Sequence, residues 1–348
     1  MITTGSYLDK SPPVAGSVRM SAKFNESVAG NIPSYCSPGQ FNPDGCLFMT
    51  PEQIAFPFSG ELNTIFITTR ITTTTTPPVP AGCDNLIPDS VRCRPLSYND
   101  PALPKKSYYV ANVEYLTIQV DHSVRVQSAT SFGSSSFTVY SAGEMVGTLV
   151  DACNGFPDKV TEEFNEAYRK SNIYNSTADV ITMGKFLQTS SCPPTNSFSL
   201  DDFANEGNKE PFRSAGMVIS APIIYTSKSS SNVTYRYIPQ IIQKSEFKII
   251  DVHHNTDGSI TYLNRHGIRF VFEQTGTIGI LDPLACIINI VAAMTLFKFA
   301  QIIVDSLMLY LLPQKDIYTE AKYQKTDDIA NSTHFIEKRE VTEAFLNE

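Results

Sequence analysis

The sequence predicts a mainly β ectodomain with a small helical insertion, followed by one transmembrane α-helix and a short tail. Three observations carry this fold class. The region before residue 280 is rich in Thr, Ser, Val, Ile, Tyr and Phe and has few long amphipathic periods, a composition that favours strands. Leu284 to Leu312 is almost wholly apolar. At about 1.5 Å per residue it makes roughly 43 Å of helix, against a hydrocarbon core of about 30 Å. Six of the seven cysteines, Cys36, Cys46, Cys83, Cys93, Cys153 and Cys192, precede that stretch, and Cys286 lies inside it. An even number suits three disulfides in an oxidising compartment, with Cys36–Cys46 and Cys83–Cys93 as natural local pairs. The expected domains are residues 1–279, an outside or lumenal domain; 280–312, the membrane helix; and 313–348, the tail.

In chain order, Ser17 to Lys23 reads as a strand of mixed face. Asn31 to Asp44 is a Pro/Gly/Asn loop. Leu62 to Thr69 has the β-branched density of a strand, and Thr72 to Pro80 reads as a low-complexity extended connector. Tyr108 to Val120 reads as one strand. A Ser/Gly cluster, Ser128 to Ser136, separates it from a short strand, Phe137 to Tyr140. Asp158 to Lys170 is the one soluble helix expected, with Glu162, Glu163 and Glu166 on its polar side. Met217 to Tyr225 is a buried-type strand bent by Pro222, and Ser227 to Ser231 is a loop. Phe247 to Val252 and Ile260 to Phe272 flank Asn255-Thr-Asp-Gly258, a hairpin signal. Its second strand is expected to lead through Gly276 and Gly279 directly into the membrane helix, as a lever.

The chemistry of the sequence excludes several function classes. A net charge of −8 leaves no basic footprint for a nucleic-acid polymer. No Gly-x-Ser-x-Gly, His-Glu-x-x-His or phosphate-binding Walker loop occurs, so no catalytic residue and no cofactor is expected. No Cys-x-x-Cys occurs, and His253-His254 beside Asp251 would point to opposite faces of a strand, so no metal site is expected either. Asn25-Glu-Ser, Asn175-Ser-Thr and Asn232-Val-Thr have the form of glycosylation acceptors. The start, MITTGSYLDKSPP, has no apolar run of signal-peptide length.

Three polar residues interrupt the membrane helix. Lys298, Gln301 and Asp305 fall at i, i+3 and i+7 and share one face. A charge at mid-membrane costs about 2.5–3.5 kcal/mol on insertion scales, so it seldom faces lipid. Either Lys298 snorkels or pairs with Asp305, or this face turns toward other helices or a water-filled pore. The second reading implies self-association.

Gly267-Ile268-Arg269-Phe270 opens a strand, Thr275-Gly276-Thr277 follows it, and Ile287-Ile288-Asn289-Ile290 opens the helix. Asp305 precedes Tyr310 by five residues, and Tyr318-Thr-Glu-Ala-Lys322 comes after the helix. This order and spacing resemble the trimeric ATP-gated cation channels, the ionotropic purinergic receptors, most specifically from Arg236 to Tyr323 and more weakly from Tyr7 to Ile71. The resemblance implies a homotrimer or heterotrimer with ATP as ligand, bound between subunits by Lys and Arg, because about four phosphate charges must be matched by cations. Permeant cations and membrane lipid are the other implied partners. The implied membrane is the plasma membrane or that of an intracellular vacuole.

Carried over residue by residue, Lys23 matches the second lysine of the family's first-strand pair, and Ser21 replaces the first. Arg236, in Thr234-Tyr235-Arg236-Tyr237, matches the arginine of an Asn-Phe-Arg run, with Thr234 in the Asn place. Asn264 stands where a lysine is expected, and the adjacent Arg265 is the substitute. The implied pore residues are Asn289, Lys298, Gln301 and Asp305. Tyr318 and Lys322 match a Tyr-x-x-x-Lys surface-retention motif. Asn289 is expected nearer the outside and Tyr318 in the cytosol. The family has two membrane helices per subunit; the visible helix corresponds to the second, and the chain begins about where the first would end. Lys298 falls at a family glycine, and a ring of three lysines would repel cations. The alternative reading is a non-conducting, membrane-anchored receptor or adhesion ectodomain derived from such channels.

Overall fold

The structure, a computed structural model, describes residues 8–24, 32–57, 63–80, 82–83, 93, 96–130, 134–151, 160–171, 177–190, 198–205, 207, 209–229, 232–281, 283–313 and 315–323. The chain forms two compact units, Met1–Asp282 and Pro283–Glu348. The first is mainly β, as the composition predicts, and the second holds the long apolar helix.

Three sheets build most of the first unit. The largest has the order Gln240–Ile242, Met217–Ser220, Ile260–Val271, Thr64–Thr76, Lys105–Val110, Cys46–Leu47, with Lys248–His254 and Ala55–Pro57 added at its sides. A six-stranded sheet runs Leu8–Ser11, Gln274–Leu281, Ile223–Ser229, Asn232–Tyr237, Val146–Val150, Val160–Phe164. The third places Leu116–Thr130 between Asp179–Thr182 and Val14–Phe24, with Ser134–Ser141 paired to its far end.

The first two sheets exchange strands at one level. Met217–Ser220 lies parallel to Ile268–Val271 in the large sheet, and Ile223–Thr226 lies parallel to Gln274–Thr277 in the six-stranded one. Between them Ala221 N–H donates to Val271 (2.8 Å) and Ile223 N–H to Glu273 (2.7 Å). Pro222 has no N–H to give a ladder, so the chain changes sheet there. The expected bend in Met217–Tyr225 is therefore a break into two strands. The hairpin's second strand likewise does not run straight to the helix: Gln274–Leu281 intervenes, in the other sheet.

Other expectations are corrected by tertiary context. Thr72–Thr76 is strand, not connector: its β-branched residues are laddered to Asn264–Ile260 on one side and, over Thr72–Thr74, to Ser107–Lys105 on the other, and Thr74 and Thr76 are buried. Tyr108–Val120 is broken by Asn112 in the left-handed region (φ 63°) and a 3₁₀ turn, Val113–Tyr115. Strand Leu116–Thr130 then extends into the Ser cluster, and Ser134–Ser141 starts within it. The expected helix Asp158–Lys170 splits, because Val160–Phe164 pairs with Val146–Val150 and buries Phe164; only Glu166–Ser171 is helical. A second helix, Met183–Ser190, buries Met183, Phe186 and Leu187. Ser227–Ser229 continues a strand.

The hairpin signal holds. Lys248–His254 pairs with Ile260–His266, and Gly258 turns the chain at φ 79°, where a Cβ would be strained. Disulfides join Cys36 to Cys46 and Cys83 to Cys93. Cys153 and Cys192 lie outside the described residues, as do Asn25 and Asn175.

In the second unit, an α-helix over Pro283–Ser306 widens into a π turn, Leu307–Leu311, in which Leu312 N–H donates to Leu307 (3.2 Å). A short helix, Lys315–Lys322, follows. Ile287–Leu311 has a mean hydropathy of 2.0, and none of its most apolar stretch is buried within the chain. Its 25 residues measure about 37 Å, enough to cross a bilayer.

Candidate ligand site and membrane helix

Strand alternation decides which side chains reach solvent. On Asn232–Tyr237, Val233, Tyr235 and Tyr237 are buried, so Thr234 and Arg236 take the other face. Thr234 donates to the carbonyl of its cross-strand partner Thr226 (3.2 Å). Arg236 is partly covered, and its Nε is buried with no acceptor among the described residues. On Val14–Phe24, Met20, Ala22 and Phe24 pack on the core while Ser21 and Lys23 are exposed. Ser21 donates to Gln119 (2.9 Å), and the Lys23 carbonyl accepts from Thr117 (2.7 Å).

Arg265 differs. Its Nε donates to Asp251 (2.5 Å), its Nη1 to the Gln53 carbonyl (3.1 Å), and its guanidinium lies 5.5 Å from the Phe56 ring. Asn264 Oδ1 beside it is buried with no partner among the described residues. Lys23, Arg236 and Arg265 thus sit on three different sheets.

Two buried polar clusters escaped the sequence reading. Arg213, on the short helix Phe212–Ala215, is fully buried. It is paired with Asp201 (2.8 Å) and with Glu114, and its guanidinium stacks 3.5 Å over Tyr35. Burial alone would lower its pKa; hydrogen bonding to Asp201 and the charge of Glu114 outweigh burial and hold it raised. Burial, helped by Glu114, pushes the Tyr35 phenol up.

The second cluster centres on Asp179, which is fully buried. Tyr235 (2.5 Å) and Tyr237 (2.8 Å) donate to its Oδ2, and His122 Nε2 lies 3.6 Å from the same oxygen. Tyr225 Oη is 2.8 Å from His122 Nδ1, and Gln274 donates to Tyr225 (2.8 Å) and to the Ser123 carbonyl (2.7 Å). Burial raises the Tyr225 and Tyr237 pKa values, with the charge of Asp179 adding to it, so both phenols keep their protons. One signal in the sequence points here. Leu116, Ile118, Val120, Val124 and Val126 alternate inward, and the same period puts His122 in that row.

On the apolar helix, Lys298 and Gln301 are exposed, and Asn289 and Asp305 are partly covered. Asp305 pairs with Lys322 of the short following helix rather than with Lys298, and Lys322 lies 5.7 Å from the Tyr323 ring. Tyr318 is partly covered.

A β-rich domain that presents cations on strand faces, joined in sequence to one helix long and apolar enough to cross a membrane, defines the structural class. Known proteins make the class particular. Residues 247–325 match the family described as ATP P2X receptor. The chain is 28% identical over 337 residues to P2X receptor A of Dictyostelium discoideum, covering 93% of this chain and 81% of that one. It is 28% identical over 338 residues to P2X receptor E of the same organism, covering 94% and 79%. Among solved structures, a chicken ATP-gated P2X7 receptor channel with the competitive antagonist TNP-ATP aligns over 89% of this chain and 94% of its own, at 14% identity and a TM-score of 0.46. A P2X receptor from the Gulf Coast tick, with ATP and Zn2+, aligns over 88% and 95%, also at 14% and 0.46. The sequence matches show the chain to be similar to P2X receptors and bear out the resemblance read most specifically from Arg236 to Tyr323.

Proposed function

We propose that the chain is a subunit of a trimeric channel gated by ATP and conducting cations across the plasma membrane or an intracellular vacuole membrane. The match of residues 247–325 to the ATP P2X receptor family carries this reading, since that stretch contains the hairpin, the strand Gln274–Leu281 and the apolar helix. In this reading ATP lies between subunits. Its phosphates meet Lys23 of one copy and Arg236 and Thr234 of another, and Arg265 adds charge at the rim. Three copies of Ile287–Leu311 enclose the pore, and Asn289, Gln301 and Asp305 are its polar residues. Lys298 points between helices, where its charge is neutralised, because a bare charge in the pore is costlier. Tyr318 and Lys322 serve surface retention.

ATP titration of the full chain in detergent tests this. Lys23→Ala and Arg236→Ala each weaken binding by about 1.5–3 kcal/mol, the worth of a charge-assisted hydrogen bond. Unchanged affinity in both variants rejects the site. A channel that prefers anions, and loses that preference in Lys298→Gly, overturns the placement of Lys298 between helices. A chain that binds ATP and passes no current is the second reading, a non-conducting membrane-anchored receptor.

A further inference from the structure

A β-strand transmits position between its two faces. Fixing the buried residues at two positions fixes the height and tilt of the residue between them. Arg236 is such a residue. Its neighbours Tyr235 and Tyr237 both donate to one atom, Asp179 Oδ2, at 2.5 and 2.8 Å.

Asp179 begins a strand laddered to Leu116–Thr130, with Asp179 opposite Val120. That central strand is laddered on its other side to Val14–Phe24, with Thr117 opposite Lys23. One carboxylate oxygen therefore joins the strand that presents Arg236 to the sheet that presents Lys23. The joint is braced from behind. Tyr225, opposite Tyr235 in the ladder, bonds to His122, and Gln274 holds Tyr225. Gly147, the parallel partner of Tyr235, leaves room for the ring: a Cβ there would lie 2.2 Å from it.

The hydroxyls are what need explaining. A phenylalanine in place of Tyr235 or Tyr237 would fill the same volume with no polar group to satisfy. A buried hydroxyl needs an acceptor and a buried carboxylate needs donors, so Tyr235, Tyr237 and Asp179 depend on one another.

We infer that Asp179, Tyr235 and Tyr237 form a positioning strut that sets Arg236, relative to the Lys23 sheet, for a polyphosphate ligand. The strut touches no ligand and acts through Arg236. It rests on the ATP reading above.

The test is a double-mutant cycle in ATP binding to the full chain in detergent. Tyr235→Phe/Tyr237→Phe keeps both rings and removes both donors. It weakens ATP binding by about 2- to 30-fold, the range of coupling carried by residues that do not touch the ligand. In an Arg236→Ala background the same pair has less than about a twofold effect, because contacting groups are non-additive. Asp179→Asn, which keeps one acceptor oxygen, loses less affinity than the double Phe variant. A merely structural cluster lowers the melting temperature and leaves affinity unchanged, or shifts affinity equally in both backgrounds; either result overturns the strut. A wild type that gives no ATP isotherm rejects the receptor reading and the strut with it. Failure of the strut alone leaves the difference between wild type and Arg236→Ala intact.

Discussion

The large sheet and the six-stranded sheet treat their arginines differently. In and around the large sheet, Arg265 faces Asp251, Arg70 faces Glu210 (3.9 Å), and Arg213 faces Glu114 and Asp201. In the six-stranded sheet, Arg236 has no carboxylate within ion-pair reach among the described residues; an unpartnered Nε does not set it apart, because among the described residues Arg70 Nε has none either. A cation that already holds a counter-charge contributes to the fold. A cation held in place without one is ready for an anion brought from outside. The contrast teaches that residue type does not make a ligand-binding arginine. The state of its partners does.

The contrast breaks most visibly at Arg213. Arg213→Ala leaves Glu114 and Asp201 with a lost partner and costs about 3–5 kcal/mol of stability, the range for breaking a buried ion pair. Chemical denaturation of the first unit's transition measures it, and a cost below about 1 kcal/mol would deny the large sheet its structural cations.

His266 sharpens the same point. Burial, with the charge of Arg70 next, pushes its pKa from 6.5 down to about 4, although its Nδ1 faces the Ala215 carbonyl at 3.3 Å. Between those two values the unfolded chain binds more protons than the folded one. Stability therefore falls as pH drops from about 6.5 toward 4, by up to about 3 kcal/mol. His266→Gln flattens that slope in melts across the window; an unaltered slope assigns it to other groups.

Arg265 gives the smaller effects. Arg265→Ala costs about 0.5–1 kcal/mol of stability, as expected for a partly exposed pair. It changes ATP affinity far less than Arg236→Ala does. Equal losses of affinity in the two variants would erase the distinction between the sheets. Asn264→Lys adds a charge beside it and strengthens ATP binding modestly; weakened binding would place that strand away from the ligand.

Much of the architecture was legible in residues alone. The apolar run after Leu284 needed only its length, and Asp257-Gly258 named the hairpin. The Thr72–Thr76 strand was not legible, because a threonine run is extended in either a connector or a ladder, and only partners on both sides decide. The Asp158–Lys170 helix failed for a related reason: Val160–Phe164 owes its form to Val146–Val150, which lies ten and more residues away. At the candidate site, Lys23 and Arg236 are proposed by motif, while the state of Arg265 was hidden. Its carboxylate partner is fourteen residues back, across the hairpin. The Asp179 cluster draws on five strands, so no local pattern contains it.

Current through a planar bilayer containing the full chain is the deciding measurement. ATP opens a cation current, and Arg236→Ala shifts the concentration–response curve to higher ATP by about 10- to 150-fold, the equivalent of about 1.5–3 kcal/mol. ATP that binds the chain yet opens no current, or a curve that Arg236→Ala leaves in place, contradicts the proposed function.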